Sequence, residues 1–270
     1  MVSGAGRGLG AGIAQGLARA GARVAICDIN ETELAQTAAE IGADGLDSLS
    51  LHADASSFQA MDDAVTRTVR YWGRLDIMIC NAAIMPLTSF SQTTPDLWRQ
   101  ILDVNLGGVY NGVKAAWQQM CEQGSGHCMA IASGASLRGF KDEVAYCAAK
   151  HGIEGFTKAL AIEAEAAHIA INTVGPGKLI KPTSISREQA SEMDPKQTEG
   201  WVDPITLAPA FVWLASQPPS RFTGLRFDAG PLADTIAAEG YDFAFAPEKA
   251  TLYVDDFKAR TTERRSWTRL

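Results

Sequence analysis

Apolar and polar positions alternate along this chain in two rhythms. Short apolar runs stand at 23–28 ("RVAICD"), 48–54 ("SLSLHAD"), 75–81 ("LDIMICN"), 126–133 ("GHCMAIAS") and 170–177 ("AINTVGPG"). Each is a run of about five or six apolar-rich residues bounded by turn formers, the pattern of strands covered on both faces of a parallel sheet. "LRFDAG" at 225–230 is a weaker strand, the seventh if the short start at Met1 and Val2 is counted. Between the runs, helical periodicity covers 9–20, 31–41, 58–72, 95–121, 144–166 and 204–215. Thr94-Pro95 marks one helix start, a capping hydroxyl followed by proline at the first helical position.

Strands alternating with helices of this length imply right-handed crossovers and a doubly wound, mostly parallel α/β sheet. No internal repeat or low-complexity linker interrupts the series, so a single domain over 1–230 is expected. Residues 183–203 are polar with weak periodicity, a length at which a structureless loop is usually functional or disordered. Residues 231–270 form a C-terminal extension ending "KARTTERRSWTRL". It reads either as a partly ordered basic tail or as a segment packing on a partner subunit.

Composition narrows the function classes. An apolar fraction of 46% and a charged fraction of 20% are ordinary for a globular protein. The net charge of −7 argues against non-specific nucleic-acid binding. No apolar run approaches the roughly 20 residues of a membrane helix, and the start does not resemble a secretory signal. A cytoplasmic location is expected by default. Five cysteines without C-x-x-C spacing point to reduced, mostly buried thiols and to no metal site.

Candidate chemistry begins at the loop Gly4-x-x-x-Gly8-x-Gly10, which holds Arg7 and Leu9. Glycines let such a loop turn sharply, and the helix that follows aims its amides and dipole at a pyrophosphate. Asp28 ends the second strand about 20 residues further on, where an acid can accept from both hydroxyls of a ribose. Its charge would repel a 2′-phosphate, so NAD is expected over NADP; Arg7 pulls the other way. Asp54, followed by Ala55, could accept from an adenine amino group or cap the next helix. "CNAA" at 80–83 places Asn81, Ala82 and Ala83 at a strand end, where small residues permit close approach to a cofactor.

Tyr146 and Lys150 stand four apart, on one face of a helix. A nearby ammonium stabilises a phenolate, and a tyrosine so tuned exchanges protons with an alcohol near neutral pH. Taken alone the spacing is common on helix surfaces. Ser133, at a strand end thirteen residues earlier, lets a hydroxyl and a phenol converge on one oxygen.

Taken in order, "SGAGRGLG", Asp28, Asp54, "NAA" at Asn81, "VNLGG" around Asn105, Ser133, "YCAAK" and "GPG" at 175–177 give the chain a resemblance to the short-chain dehydrogenase/reductase family over about 1–230. The resemblance implies a Rossmann-type sheet of about seven strands in the order 3-2-1-4-5-6-7. It also implies a tetrad: Tyr146 as acid/base, Ser133 positioning the substrate oxygen, Lys150 binding the nicotinamide ribose and lowering the Tyr146 pKa, and Asn105 holding a water in a proton relay. Asn105 also reads as a buried amide stabilising a bend near Gly107-Gly108. Ile29 would join the adenosine side; Pro176, Gly177 and Leu179 would wrap the nicotinamide, and 183–203 would form a substrate lid. The helices near 97–121 and 144–166 would build the faces of a homodimer or homotetramer.

The sequence departs from the family pattern at three places. Ser3 stands where a threonine is usual, and Lys181 where a threonine often follows the Pro-Gly turn, with Thr183 nearby as a substitute. The long apolar first strand is also absent. Since that strand is central in the implied order, its loss would leave ladder groups of both neighbours unpaired at ~1–3 kcal/mol each. The natural protein is therefore expected to start a few residues earlier. The function expected is an NAD-dependent interconversion of a secondary alcohol and a ketone, in a largely apolar pocket that includes Ile84, Met85, Ala135, Leu137, Phe140 and Cys147. An NADP-dependent carbonyl reductase and a non-catalytic nicotinamide-binding regulator are the alternatives.

Overall fold

The computed structural model describes residues 1–183, 185–245 and 254–256. In chain order its elements are β1 (Val2–Ser3), α1 (Gly8–Arg19), β2 (Val24–Asp28), α2 (Glu31–Ala43), β3 (Ser48–His52), α3 (Phe58–Trp72) and β4 (Ile77–Cys80). They continue with α4 (Pro95–Leu102), a π-helical turn (Asp103–Gly107), α5 (Gly108–Gln123), β5 (Gly126–Ile131), α6 (Val144–Glu163) and β6 (Ile169–Gly175). The last are α7 (Arg187–Glu192), α8 (Ala208–Ser216), β7 (Leu225–Asp228), α9 (Ala229–Glu239) and β8 (Val254–Asp256).

The sheet order is β3-β2-β1-β4-β5-β6-β7-β8. The first seven strands are parallel and β8 joins β7 antiparallel. The doubly wound order expected from the sequence is therefore present, with an eighth strand that the pattern did not reveal.

Strand alternation shows why both faces are covered. On β4, Ile77 and Ile79 pack with α1, α8 and α9 residues such as Ile13, Phe211 and Leu232, whereas Met78 and Cys80 pack with Met61 of α3 and Val113 of α5. β2 repeats this, with Val24 and Ile26 on the first face and Ala25 and Cys27 on the second. With apolar groups on both sides, these central strands need unbroken apolar runs.

β1 has two residues yet occupies the centre, Val2 pairing with Ile26 and Ile79, and Ser3 with Cys27. Met1 narrows the expected gap in the ladders: its carbonyl accepts from Ile79 N at 2.9 Å and its amino group donates to Ile77 O at 2.7 Å. Ala5 N donates to Cys27 O at 3.1 Å, so chain beyond the strand also serves the neighbouring ladder.

Three further segments differ from the sequence pattern. The helical run 95–121 is split by the π turn. α7 forms inside the polar stretch 183–203, where Ser186 and Gln189 make a reciprocal capping box. α9 carries the fold past residue 230 and buries Leu232, Ala233 and Ile236. Beyond it Phe243 and Phe245 fold back onto Trp213, with ring centroids 5.2 and 5.6 Å away. The basic run 258–270 lies outside the described residues. Among those described, no helix is long and apolar enough to cross a membrane, and all five cysteines are unbridged.

Candidate active site

The parallel strands all point their carboxyl ends at one cleft of about 1150 Å³. In doubly wound sheets this is the edge where ligands bind, beside the switch between β1 and β4. Of the residues singled out in the sequence, Gly4, Arg7, Gly8, Leu9, Asp28, Ile29, Asp54, Ala55, Asn81, Ala82, Ala83, Ser133, Tyr146, Lys150, Pro176, Gly177 and Leu179 line it. Gly10 and Asn105 do not; each supports the wall from behind.

The glycine loop is shaped by close approach. Gly4 has φ +61°, and a Cβ there would lie 2.6 Å from Ala82 Cα. At Gly10 a Cβ would sit 2.2 Å from Gly4 O and 2.4 Å from Asn81 Nδ2. Asn81 fastens the loop, its Nδ2 donating to Ser3 O at 3.0 Å and Gly4 O at 2.8 Å. Ser3 Oγ in turn accepts from Asn81 N at 3.1 Å and Ala82 N at 3.3 Å, so serine supplies what a threonine hydroxyl would. α1 carries no side-chain cap at its N-terminus, and its first turn opens on the cleft. A nucleotide pyrophosphate fits such a cradle.

At the β2 end of the cleft, Asp28 Oδ2 accepts from Gly6 N at 2.8 Å and Oδ1 from Asn30 N at 2.9 Å. Arg7 pairs with Glu33 at 3.0 Å and donates to Thr183 O at 3.2 Å. Asp54 Oδ1 accepts from Ser56 N and Oγ at 2.8 and 2.7 Å. The α3 cap that the sequence left open between Asp54 and another role is Ser57, whose Oγ accepts from Ala60 N.

On the far side, Ser133 leaves β5 in extended conformation. Its Oγ accepts from Ala135 N at 3.2 Å while Ser136 Oγ accepts from Ser133 N at 3.2 Å, and this box fixes the hydroxyl's rotamer. Tyr146, one turn before Lys150 on α6, is 8% exposed. Burial pushes its phenol up to about 12, with the Ser133 hydroxyl pulling it down and Glu143 and Cys147 adding to the rise. Lys150 is 2% exposed, donates to Ile131 O at 2.7 Å and lies 5.5 Å from the Tyr146 ring centroid. Burial pushes its ammonium down to about 8. The expected lowering of Tyr146 by Lys150 is thus not what dominates here: the ammonium sits over the ring face, and desolvation of the phenolate outweighs it.

Asn105 is fully buried in the π turn. Its Oδ1 accepts from Ile84 N at 2.8 Å and its Nδ2 donates to Ile84 O at 2.8 Å, which holds the β4 exit loop against the helix. π turns recur at functional sites because the extra residue re-aims a side chain. Of the expected apolar pocket, Ile84, Met85 and Phe140 line the cleft, together with charged Asp96, Arg99, Asp103, Arg138 and Glu143. Ala135 is buried below it, and Leu137 is exposed. Lys178 is paired with Asp234, and Lys181 donates to Ile185 O.

Sequence reasoning missed Ser136, the partner of Ser133, and a buried pair behind it, Arg226 and Glu154. Ser133 and Ser136 stand at a capping-box spacing, a signal that could have found the first. Arg226 is a lone charge within the apolar run "LRFDAG", a visible oddity.

Comparison with known proteins fits this geometry. The family model for the short chain dehydrogenases matches residues 1–194. Trans-4-hydroxycyclohexanecarboxylate dehydrogenase of Sinomonas cyclohexanicum is 34% identical over 241 residues, covering 86% of this chain and 92% of the relative. D-threitol dehydrogenase of Mycolicibacterium smegmatis is 31% identical, covering 89% and 91%. Among solved structures, an actinorhodin polyketide ketoreductase variant with NADPH superposes with a TM-score of 0.77 at 28% identity, over 86% of this chain and 96% of that one. A metagenomic short-chain oxidoreductase in complex with NADP gives 0.70 at 27%, over 82% and 91%. The chain belongs to the short-chain dehydrogenase/reductase family, oxidoreductases that act on alcohols and ketones with a nicotinamide cofactor.

Proposed function

We propose that this enzyme interconverts a small secondary alcohol and its ketone, with NAD as cofactor and Tyr146 as the group that moves the proton. The observation that carries the reading is the convergence of Ser133, Tyr146 and Lys150 at one end of the cleft whose other end is the glycine loop. A bound nicotinamide supplies or takes up the hydride. Ser133 Oγ accepts from Ala135 N, which leaves its proton to be shared between the Tyr146 phenol and the substrate oxygen. Tyr146 exchanges its phenolic proton with that oxygen, and Lys150 provides the positive charge its phenolate requires. Ile84, Met85 and Phe140 shield the reacting carbon from water.

The choice of NAD rests on Asp28 and on Arg7. Asp28 is fixed by two backbone amides, and the Arg7 charge is already committed to Glu33. A 2′-phosphate there would face two carboxylates, a juxtaposition that costs several kcal/mol. The alternative, NADP, draws support from the solved relatives that hold NADP or NADPH. Initial rates with both cofactors decide between them. We expect kcat/KM to favour NAD by at least about 10-fold, and Asp28→Ala to shrink that ratio; a parental preference for NADP contradicts the assignment.

The substrate is read from a panel of cyclohexanol, trans-4-hydroxycyclohexanecarboxylate, threitol and 2-butanol with their ketones, followed by nicotinamide absorbance. Tyr146→Phe should lower kcat about 100- to 10,000-fold with the best of these. Full turnover in that variant would overturn the assignment of Tyr146, whereas a parent that binds NADH but turns over no member of the panel would leave the regulator as the better reading. We further propose assembly as a homodimer or homotetramer through α5 and α6, where Tyr110 and Ile162 stand exposed, a state that light scattering measures directly.

A further inference from the structure

Behind the cleft, a guanidinium and a carboxylate are buried where neither lines it. Arg226 on β7 is 6% exposed and Glu154 on α6 is 8% exposed. Arg226 Nη1 donates to Glu154 Oε1 at 2.5 Å. Its Nη2 donates to Ser133 O and to Asp228 Oδ1, both at 3.2 Å. Glu154 Oε2 accepts from Thr173 Oγ1 at 2.9 Å, and Thr173 is the residue that pairs with Arg226 across the β6–β7 ladder. The guanidinium therefore reaches over β6 to the end of β5. Space is reserved for it: a Cβ on Gly175 would lie 2.7 Å from Arg226 Nη2 and 2.5 Å from Asp228 Oδ1.

Stability alone is a poor explanation for this arrangement, since burying an ion pair is rarely better than packing apolar side chains in its place. Its contacts are more informative. One arm of Arg226 holds the carbonyl of Ser133, which also accepts from Ser136 N at 3.0 Å. The other holds Glu154, one helical turn beyond Lys150 on the same face of α6. We infer that Arg226 and Glu154 form a positioning pair for the active site, which locks Ser133 through its backbone and sets a negative charge behind Lys150. The inference rests on the roles proposed above for Ser133 and Lys150.

Facing the Lys150 ammonium are the Tyr146 ring and Glu154 on α6 and the Ile131 carbonyl on β5. Asp103 of the π turn and Glu143 line the same cleft, and Arg226 and Asp228 of β7 lie beyond Glu154. Of these, Glu154 is the charge that raises the Lys150 pKa against the effect of burial.

Two conservative variants test the pair, using the fastest alcohol of the panel. Arg226→Lys keeps a cation for Glu154 but lacks the fork needed to reach Ser133 as well. Its kcat should fall about 10- to 100-fold, as expected when a reacting group is slightly misplaced. The KM for cofactor, and the Kd for NADH from a fluorescence titration, should stay within about twofold of the parent. Glu154→Gln keeps hydrogen-bonding groups for Thr173 and Arg226 but removes the charge. The alkaline limb of its kcat–pH profile should move to lower pH, and Glu154→Asp should restore it. Parental kcat in Arg226→Lys, or an unmoved limb in Glu154→Gln, overturns the inference. Should a single variant fail to fold, the pair Arg226→Met with Glu154→Met, which leaves no uncompensated buried charge, decides. Lowered kcat with intact NADH binding supports the pair, and parental kcat overturns it. Failure of the underlying reading looks different, because Tyr146→Phe would then itself remain active.

Discussion

At the scale of single residues, the site holds a cation where the fold disfavours one. Lys150 falls from an ordinary 10.5 to about 8, chiefly through burial. Below pH 8 the folded enzyme carries this charge at a cost of up to about 3 kcal/mol relative to the unfolded chain. Between pH 8 and 10.5 the unfolded chain binds the extra proton, so stability from this group rises with pH and the penalty is gone above 10.5. Lys150→Met removes the penalty along with activity. The melting-temperature difference, variant minus parent, should be most positive below pH 8 and decline steadily towards 10.5. A difference that is flat with pH refutes this account. Ser133, Tyr146 and Lys150 were legible in the sequence because local spacing brings two of them together and a strand end supplies the third. The dominance of burial over charge at Tyr146 was not, since desolvation depends on what the rest of the chain packs around a phenol.

At the scale of elements, the central strands and long helices followed directly from periodicity, because strands such as β2, β4, β5 and β6 are buried on both faces. The π turn carries no such mark: one extra residue in a turn leaves the apolar pattern continuous. Its function is visible only in three dimensions, where Asn105 closes both hydrogen-bonding groups of Ile84. Asn105→Ala leaves that N–H and C=O without partners, at ~1–3 kcal/mol each. A fall in melting temperature of about 5–12 °C is expected for a chain of this size, with weaker cofactor binding in the same titration. An unchanged melting temperature would show that the amide does not hold the loop. α9 escaped notice because Gly230-Pro231 reads as a turn, although proline suits the first turn of a helix equally well.

At the scale of the whole molecule, the stretch that follows α9 is tied to the core by aromatic rings. Trp213 touches Phe222, Phe227, Phe243 and Phe245, with centroids between 5.2 and 6.5 Å. It is 1% exposed. Trp213→Ala should cost about 3–5 kcal/mol in denaturant unfolding, as large core truncations do. Because the cluster lies away from the cleft, kcat measured well below the melting point should match the parent. Loss of kcat in the folded variant would mean that this end of the sheet shapes the site as well. Long-range convergence of this kind, from residues 213 to 245, leaves no local signature in a sequence.

The contact made by Arg7 ties these scales together. One guanidinium grips Glu33 at the β2 end of the cleft and the carbonyl of Thr183 at the start of the polar stretch 183–203. Any movement of Arg7 would break both contacts at once, so the end of the cleft at β2 and the segment that starts at Thr183 share one anchor.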